Sequence, residues 1–110
     1  MTPAERDHAE ALRRIHDVRE NEATLLDLSE LSALRRIPDE IRTLESLANL
    51  DISFCDAITS LEPLASMQGL AHLDIAGCNA VTSLKPLAGL QGLAHLDISR
   101  CKAITSLEPL

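Results

Sequence analysis

The sequence predicts a right-handed α/β solenoid, in which short repeats stack side by side instead of folding around one globular core. The segment LANLDISFCDAITSLEPL at 47–64 returns with few changes at 70–87 and 93–110, always after a step of 23 residues. A period in the twenties with apolar residues at fixed offsets indicates stacked units that bury their apolar sides against their neighbours. An amphipathic segment precedes these copies. We therefore divide the chain into an N-terminal capping helix, 1–22, and about four repeats, 23–110, of which the last is incomplete.

The capping helix is expected from residue 2 to about residue 20. Thr2 and Glu5 have the spacing of a capping box, and Pro3 falls at the first helical position, where its missing N–H costs nothing. Apolar residues then recur on one face, which suits a helix that covers the open side of the first repeat. A helix that binds a partner or a membrane surface is the alternative, and the near balance of acids and arginines in residues 1–45 disfavours the membrane version.

Each repeat contains an L-x-I or L-x-L stretch that we expect to form a short strand. We predict strands at 49–53, 72–76 and 95–99, with a first one near 25–29, stacked in parallel about 4.8 Å apart. The return segments contain Pro63, Pro86 and Pro109, which disfavour a long helix and favour a turn or a short 3₁₀ helix. Residues 23–41 are a degenerate first repeat, with one extra residue near Pro38.

The shared pattern is L-x-x-L-x-I-x-x-C-x-x-[IV]-x-x-L-x-x-L, which resembles the leucine-rich repeat of the cysteine-containing, bacterial type. The resemblance covers roughly residues 23–110. It implies parallel strands on a concave face that binds protein partners. The helix, the LDLS stretch and the IPDEI segment that follow one another near the N-terminus are also similar to the start of the repeat region in Roco proteins, where the repeats precede a GTPase module.

Composition excludes several classes of function. The net charge of −7 argues against nucleic-acid binding, which rewards clustered Lys and Arg. No stretch approaches the roughly 20 apolar residues that span a bilayer, and the first ten residues have no apolar run, so we expect neither membrane association nor a secretory signal. An odd number of cysteines favours a reduced, cytoplasmic protein. The sequence has no GxSxG, P-loop or HExxH motif, and we predict neither enzymatic activity nor a cofactor.

Cys55, Cys78 and Cys101 occupy one equivalent position in each repeat. A structural zinc site is disfavoured because such sites usually pair cysteines two to four residues apart. We expect small buried thiols that donate weakly to backbone carbonyls where the chain turns. Disulfides between repeats are a further alternative that the pattern does not require.

The residues between the inward-facing ones should form aligned columns on the concave face. One column is predicted to consist of aspartates, which either serve the local turn or attract a basic segment or a cation. An exposed metal site of two histidines and two aspartates is a further alternative, although we predict no metal. Phe54, the only aromatic residue, and Arg100 are of the types that dominate interfaces. The predicted partner contacts are Asp51, Phe54, His72, Asp74, His95, Asp97 and Arg100.

The sequence stops inside the return segment of the last repeat, so the side of that repeat should be uncovered. We expect this edge to be covered by a second copy, most simply in a two-fold homodimer. A fragment of a longer array and a designed end are the alternatives. The predicted edge residues are Leu93, Leu96, Ile98, Ile104 and Leu107.

The predicted function is a non-catalytic protein–protein interaction scaffold whose concave face binds a protein partner. Two alternatives stay open. The first is a structural, self-assembling module that pairs through its C-terminal repeat. The second is a regulatory fragment of a larger GTPase of the Roco type.

Overall fold

The computed structural model describes residues 1–105 and shows one α-helix and a four-stranded parallel sheet. The sheet order β1-β2-β3-β4 follows the chain, so each strand pairs with the next one along the sequence. The register aligns equivalent residues, and Leu50 pairs with Leu73 while Leu73 pairs with Leu96. Leu107 and Pro109, which entered the predictions above, lie outside the described residues. The elements are α1 at Pro3–Asn21, β1 at Leu25–Asp27, β2 at Asn49–Asp51, β3 at His72–Asp74 and β4 at His95–Asp97.

The strands are three residues long, two fewer than the sequence predicts. In β2 the reason is Asp51, whose Oδ1 accepts a hydrogen bond of 2.8 Å from the Ser53 amide and so turns the chain. Backbone pairing nevertheless continues beyond the strands, because the Leu28 amide donates to the Asp51 carbonyl at 2.8 Å. The Glu30 amide likewise donates to the Ser53 carbonyl at 2.9 Å. The predicted five-residue segments are therefore hydrogen-bonded, although their last two residues turn.

Helix α1 begins with the capping box that its sequence predicts. The Glu5 amide donates to Thr2 Oγ1 at 3.1 Å, and the Thr2 amide donates to Glu5 Oε1 at 3.0 Å. Pro3 stands in the first turn. Such reciprocal bonds satisfy amides that the first helical turn leaves without a partner.

The helix packs against β1, the first strand of the sheet. Ala11 and Ile15 are its fully buried residues. Arg14 Nη1 donates to the Asp27 carbonyl at 3.1 Å, and Asp7 Oδ2 accepts a hydrogen bond of 2.9 Å from the Ala33 amide. Polar bonds at both ends of an apolar contact fix how α1 lies on the first repeat.

The return segments form 3₁₀ helices at Glu62–Leu64 and Lys85–Leu87, as Pro63 and Pro86 predict, and a further 3₁₀ helix forms at Asp39–Thr43 in the first repeat. The 3₁₀ helix of the first repeat is five residues long, two more than the others, and it begins directly after Pro38, where the sequence places the one extra residue of that repeat. Leucines at matching offsets, such as Leu64 and Leu87, are buried. One apolar cluster runs from α1 through the successive repeats. Among residues 1–105, no helix combines the length and the apolar character needed to cross a bilayer.

Candidate interaction surface

The outer side of the sheet carries two columns of side chains in register. Strand alternation buries Leu50 and Leu73 and turns their neighbours outward. A shallow depression of about 570 Å³ lies over these neighbours, mainly along β2, β3 and β4. We call the two columns the outer sheet face. They consist of Leu25, Asn49, His72 and His95 in one column and Asp27, Asp51, Asp74 and Asp97 in the other.

Every aspartate of the second column stabilises the turn that ends its strand. Oδ1 of Asp74 accepts a hydrogen bond of 2.9 Å from the amide of Ala76, and the same bond recurs at the other three positions at 2.8–2.9 Å. In Asp97 the Ser99 hydroxyl adds a second bond of 2.7 Å. Hydrogen bonds from the Ser99 hydroxyl and amide lower the pKa of Asp97, and those from Ser29 lower the pKa of Asp27.

These bonds show how a ladder of like charges is compatible with the fold. Like charges on neighbouring strands are mildly destabilising, and a hydrogen bond to an ionised carboxylate contributes roughly 1.5–3 kcal/mol when it is shielded from water and less at an exposed position. The turn therefore offsets the repulsion. The carboxylates stay on the outer sheet face, where Asp97 is exposed and Asp51 and Asp74 are half-buried.

His72 and His95 form a stacked pair in the other column. They are directly opposite one another in the strand register. Their ring centroids are 4.1 Å apart, and the ring planes differ by 14°. Both side chains are exposed. The structure thus brings together five of the predicted contact residues, namely the two histidines with Asp51, Asp74 and Asp97.

Phe54 and Arg100 lie just beyond the strands, at one margin of the outer sheet face. Phe54 is 44% exposed. Its ring lies against Gly77 in the next repeat, where a Cβ atom would lie 2.5 Å from Phe54 Cδ1. Arg100 is exposed and follows β4, one repeat beyond Gly77. Phe54 is thus both a packing residue and an accessible aromatic surface.

The position of Phe54 has a left-handed backbone in every repeat. The φ angle is +65° at Glu30, +60° at Phe54, +73° at Gly77 and +61° at Arg100. Sequence reasoning missed this feature, since glycine marks it in only one of the four repeats. It also missed Gly77 as the seat of the Phe54 ring. The available signal was the alignment of a glycine with an aromatic residue one repeat away.

The cysteines form a buried structural column, in agreement with the sequence-based expectation. Sγ of Cys55 donates to the Leu28 carbonyl at 3.1 Å, and Cys78 makes the equivalent bond to Ile52 at 2.9 Å. Cys101 donates to the Ile75 carbonyl at 2.9 Å. Burial raises the pKa of Cys55 to about 12 and that of Cys78 to about 11, and it also raises the pKa of Cys101. All three thiols are free.

The histidine–aspartate metal alternative has no support in the geometry of the outer sheet face. In residues 1–105, no group of three or more histidines, cysteines or carboxylates is placed to hold a metal ion. The stacking of His72 on His95 explains part of this result. Imidazole lone pairs lie in the ring plane, so two nearly parallel rings cannot direct them at one ion.

The sheet is less well covered at β4 than in its middle. Leu70, Leu73 and Ile75 are at most 2% exposed. Their counterparts in the next repeat, Leu93, Leu96 and Ile98, are only half-buried, as is Ile104. Leu107, the fifth predicted edge residue, lies outside the described part of the chain.

No protein-family model matches the chain. No curated protein matches it either.

Proposed function

We propose that this chain is a leucine-rich-repeat protein of the cysteine-containing type, folded as a right-handed solenoid in which α1 covers the first repeat. The proposal is supported by the constant 23-residue step and by the in-register pairing of equivalent residues. The cysteine column adds support, because each thiol donates to a carbonyl of the preceding repeat and so ties neighbouring repeats together.

Its proposed role is to bind a protein partner, without catalysis, on the outer sheet face. The observation that carries this proposal is the depression lined by the His72–His95 pair and the carboxylates of Asp51, Asp74 and Asp97. Hydrogen bonds to the turn amides hold these carboxylates in place before any partner arrives, so little ordering is needed on binding. A partner with an extended segment that carries Arg or Lys complements this row of negative charge.

Phe54 supplies an apolar contact at the margin of the same surface. Interface energy concentrates in a few aromatic and arginine side chains, and the Phe54 ring is 44% exposed while it packs against Gly77. Arg100, one repeat beyond Gly77, offers a positive charge for an acidic group of the partner. A reduced, cytoplasmic location belongs to the same proposal, and the three free thiols support it.

Peptide display on the immobilised protein tests this function. The test variant combines Asp51→Asn, Asp74→Asn and Asp97→Asn, because asparagine keeps a side-chain oxygen for the turn amide while it removes the charge. The matched control, Glu45→Gln with Asp56→Asn and Glu62→Gln, removes three charges from exposed positions outside the outer sheet face. We expect selected peptides to be rich in Arg and Lys and to bind the test variant roughly ten-fold more weakly, about 1.4 kcal/mol.

The control variant should bind those peptides as the unmodified protein does. Phe54→Ala should weaken them by more than about 1 kcal/mol if Phe54 is an anchor. Equal binding to the test and control variants would contradict a role for the outer sheet face. Binding that does not weaken with added salt would contradict the charge complementarity.

A second candidate function is self-association through the β4 end, which the half-buried Leu93, Leu96 and Ile98 favour. Light scattering after size exclusion, over a range of concentrations, is expected to give the mass of a dimer. Leu96→Glu should reduce that mass to the monomer, whereas Asp74→Asn should leave it unchanged. A monomer at every concentration, or a Leu96→Glu protein with the mass of a dimer, would exclude this candidate.

A further inference from the structure

The outer sheet face includes one pair of titratable rings, His72 and His95, that are in direct contact with each other. His72 and His95 are exposed, and strand pairing holds their backbones opposite each other. Among residues 1–105, the one hydrogen bond of a histidine side chain joins His16 to Arg19. The rings of His72 and His95 are therefore positioned by their contact with each other. Their arrangement can therefore change without the loss of a hydrogen bond.

Stacking of this kind depends on the charge of the rings. Two neutral aromatic rings attract each other when they are stacked with an offset. Two imidazolium rings with centroids 4.1 Å apart repel each other. Histidine is the side chain type whose charge changes between about pH 5 and 8. Acidification in that range consequently acts against the stack.

The charged groups around the pair act in the same direction. Asp51 on β2, Asp74 on β3 and Asp97 on β4 belong to the adjoining column of the outer sheet face. Each carboxylate is held by the amide two residues further on, so each stays in place when a ring moves. A positively charged ring gains a carboxylate neighbour when it leaves the stack. The positively charged Arg100 follows β4 five residues after His95, at the opposite end of the strand from the ring pair.

We propose that the His72–His95 stack is a pH-sensitive switch in the outer sheet face: neutral rings stack, and protonated rings separate toward the aspartates. Each protonation adds one positive charge to a surface that otherwise carries the four negative charges of its aspartate column. This regulatory role rests on the proposed function, because a partner rich in Arg and Lys would then bind more weakly as the pH falls. The movement of the rings itself requires no partner.

Nuclear magnetic resonance of the protein alone tests the switch. The observable is the nuclear Overhauser effect between ring protons of His72 and His95, measured from pH 8 to pH 5 together with the backbone amide spectrum. We expect the effect at pH 8 and its loss toward pH 5, while the β3 and β4 amide signals persist. His8 and His16 on α1 serve as internal references, since neither is stacked on another histidine.

His72→Gln and His95→Gln are the matched variants. In each, the ring-proton shifts of the remaining histidine should lack the contribution of the stacked partner at pH 8 and should approach those of the unmodified protein at pH 5. A ring–ring effect that persists at pH 5, or one absent at pH 8, would overturn the proposal. So would unfolding that precedes loss of the effect, because the stack would then survive every pH at which the protein is folded. Failure of peptide binding in the display experiment leaves this result unaffected, so the two proposals can fail separately.

Discussion

Gly77→Ala probes the contact between neighbouring repeats at the margin of the outer sheet face. Two effects oppose the added methyl group. The φ angle of Gly77 is +73°, a conformation that L-residues adopt with strain. The new Cβ would also lie 2.5 Å from Phe54 Cδ1 and 2.7 Å from Cε1, so the ring has to leave its seat. Both effects reduce the free energy of unfolding.

The size of each effect follows from the local structure. A left-handed backbone costs a non-glycine residue about 1 kcal/mol. Glu30 and Arg100 occupy the equivalent position at similar φ, which shows that this cost is tolerated. Displacement of the Phe54 ring re-exposes part of its covered apolar surface, and the loss of about 40 Å² of such cover would cost about 1 kcal/mol at 25 cal/mol per Å². The expected loss for Gly77→Ala is therefore about 2 kcal/mol.

Urea unfolding of a double-mutant cycle separates the two effects. In a Phe54→Ala protein the ring is absent, so Gly77→Ala should cost only the backbone part, about 1 kcal/mol. The coupling between the two sites should accordingly be about 1 kcal/mol, with unchanged m-values. An equal loss of unfolding free energy on Gly77→Ala with and without Phe54 would refute the contact between the Phe54 ring and Gly77. A cost below about 0.3 kcal/mol in the Phe54→Ala background would refute the backbone strain.

Three further predictions concern the core, the thiols and the carboxylates. Leu73→Ala, at a fully buried position, should lower the free energy of unfolding by about 2–5 kcal/mol. Leu96→Ala should lower it measurably less, because that side chain is half-buried. Equal losses for the two variants in urea unfolding would contradict the uneven coverage of the sheet. Iodoacetamide at pH 8 should leave Cys55 and Cys78 unmodified until urea unfolds the chain, because burial raises their pKa values to about 12 and about 11. Rapid alkylation of the native protein, measured by mass spectrometry, would contradict their burial. Hydrogen bonds from Arg13 and Arg14 lower the pKa of Glu10 from 4.5 to about 2, and a depressed carboxyl pKa gives stability that is present above 4.5 and lost as the pH falls toward 2. The urea midpoint should therefore fall over that interval and do so less steeply in Glu10→Gln, whereas parallel slopes would show that the pair contributes nothing.

Much of the architecture could be predicted because the same pattern of apolar residues recurs in each repeat. Offsets that recur every 23 residues place Leu50, Leu73 and Leu96 at equivalent positions, and strand pairing of equivalent residues follows from a constant step. Local rules sufficed for α1, whose capping box needs only Thr2 and Glu5. The strand ends were less predictable. Asp51 and the two residues after it are all compatible with an extended chain. The strand ends where the Ser53 amide donates a hydrogen bond to the Asp51 side chain.

The outer sheet face could be predicted as a set of columns but not as a set of contacts. Alternation along the strands gives the side on which His72, His95 and the aspartates lie. It does not give ring orientation, so neither the stack nor its conflict with a shared metal ion follows from the sequence. The contact of the Phe54 ring with Gly77 could not be predicted from the sequence either, because three of the four repeats have a left-handed backbone at this position without a glycine.

The aspartate column shows why residue type alone does not decide between a structural and a binding role. The turn needs an acceptor at that position, and asparagine also supplies one, although a neutral acceptor makes a weaker hydrogen bond than a carboxylate does. Hydrogen bonding therefore requires a polar side chain at Asp51 and Asp74, and it favours a carboxylate there without requiring one. The charge brings the cost of like charges on neighbouring strands. If Asp51→Asn and Asp74→Asn leave the free energy of unfolding unchanged or raise it, while they weaken peptide binding, the charge serves recognition. If they lower stability and leave binding intact, the carboxylate is there for the turn.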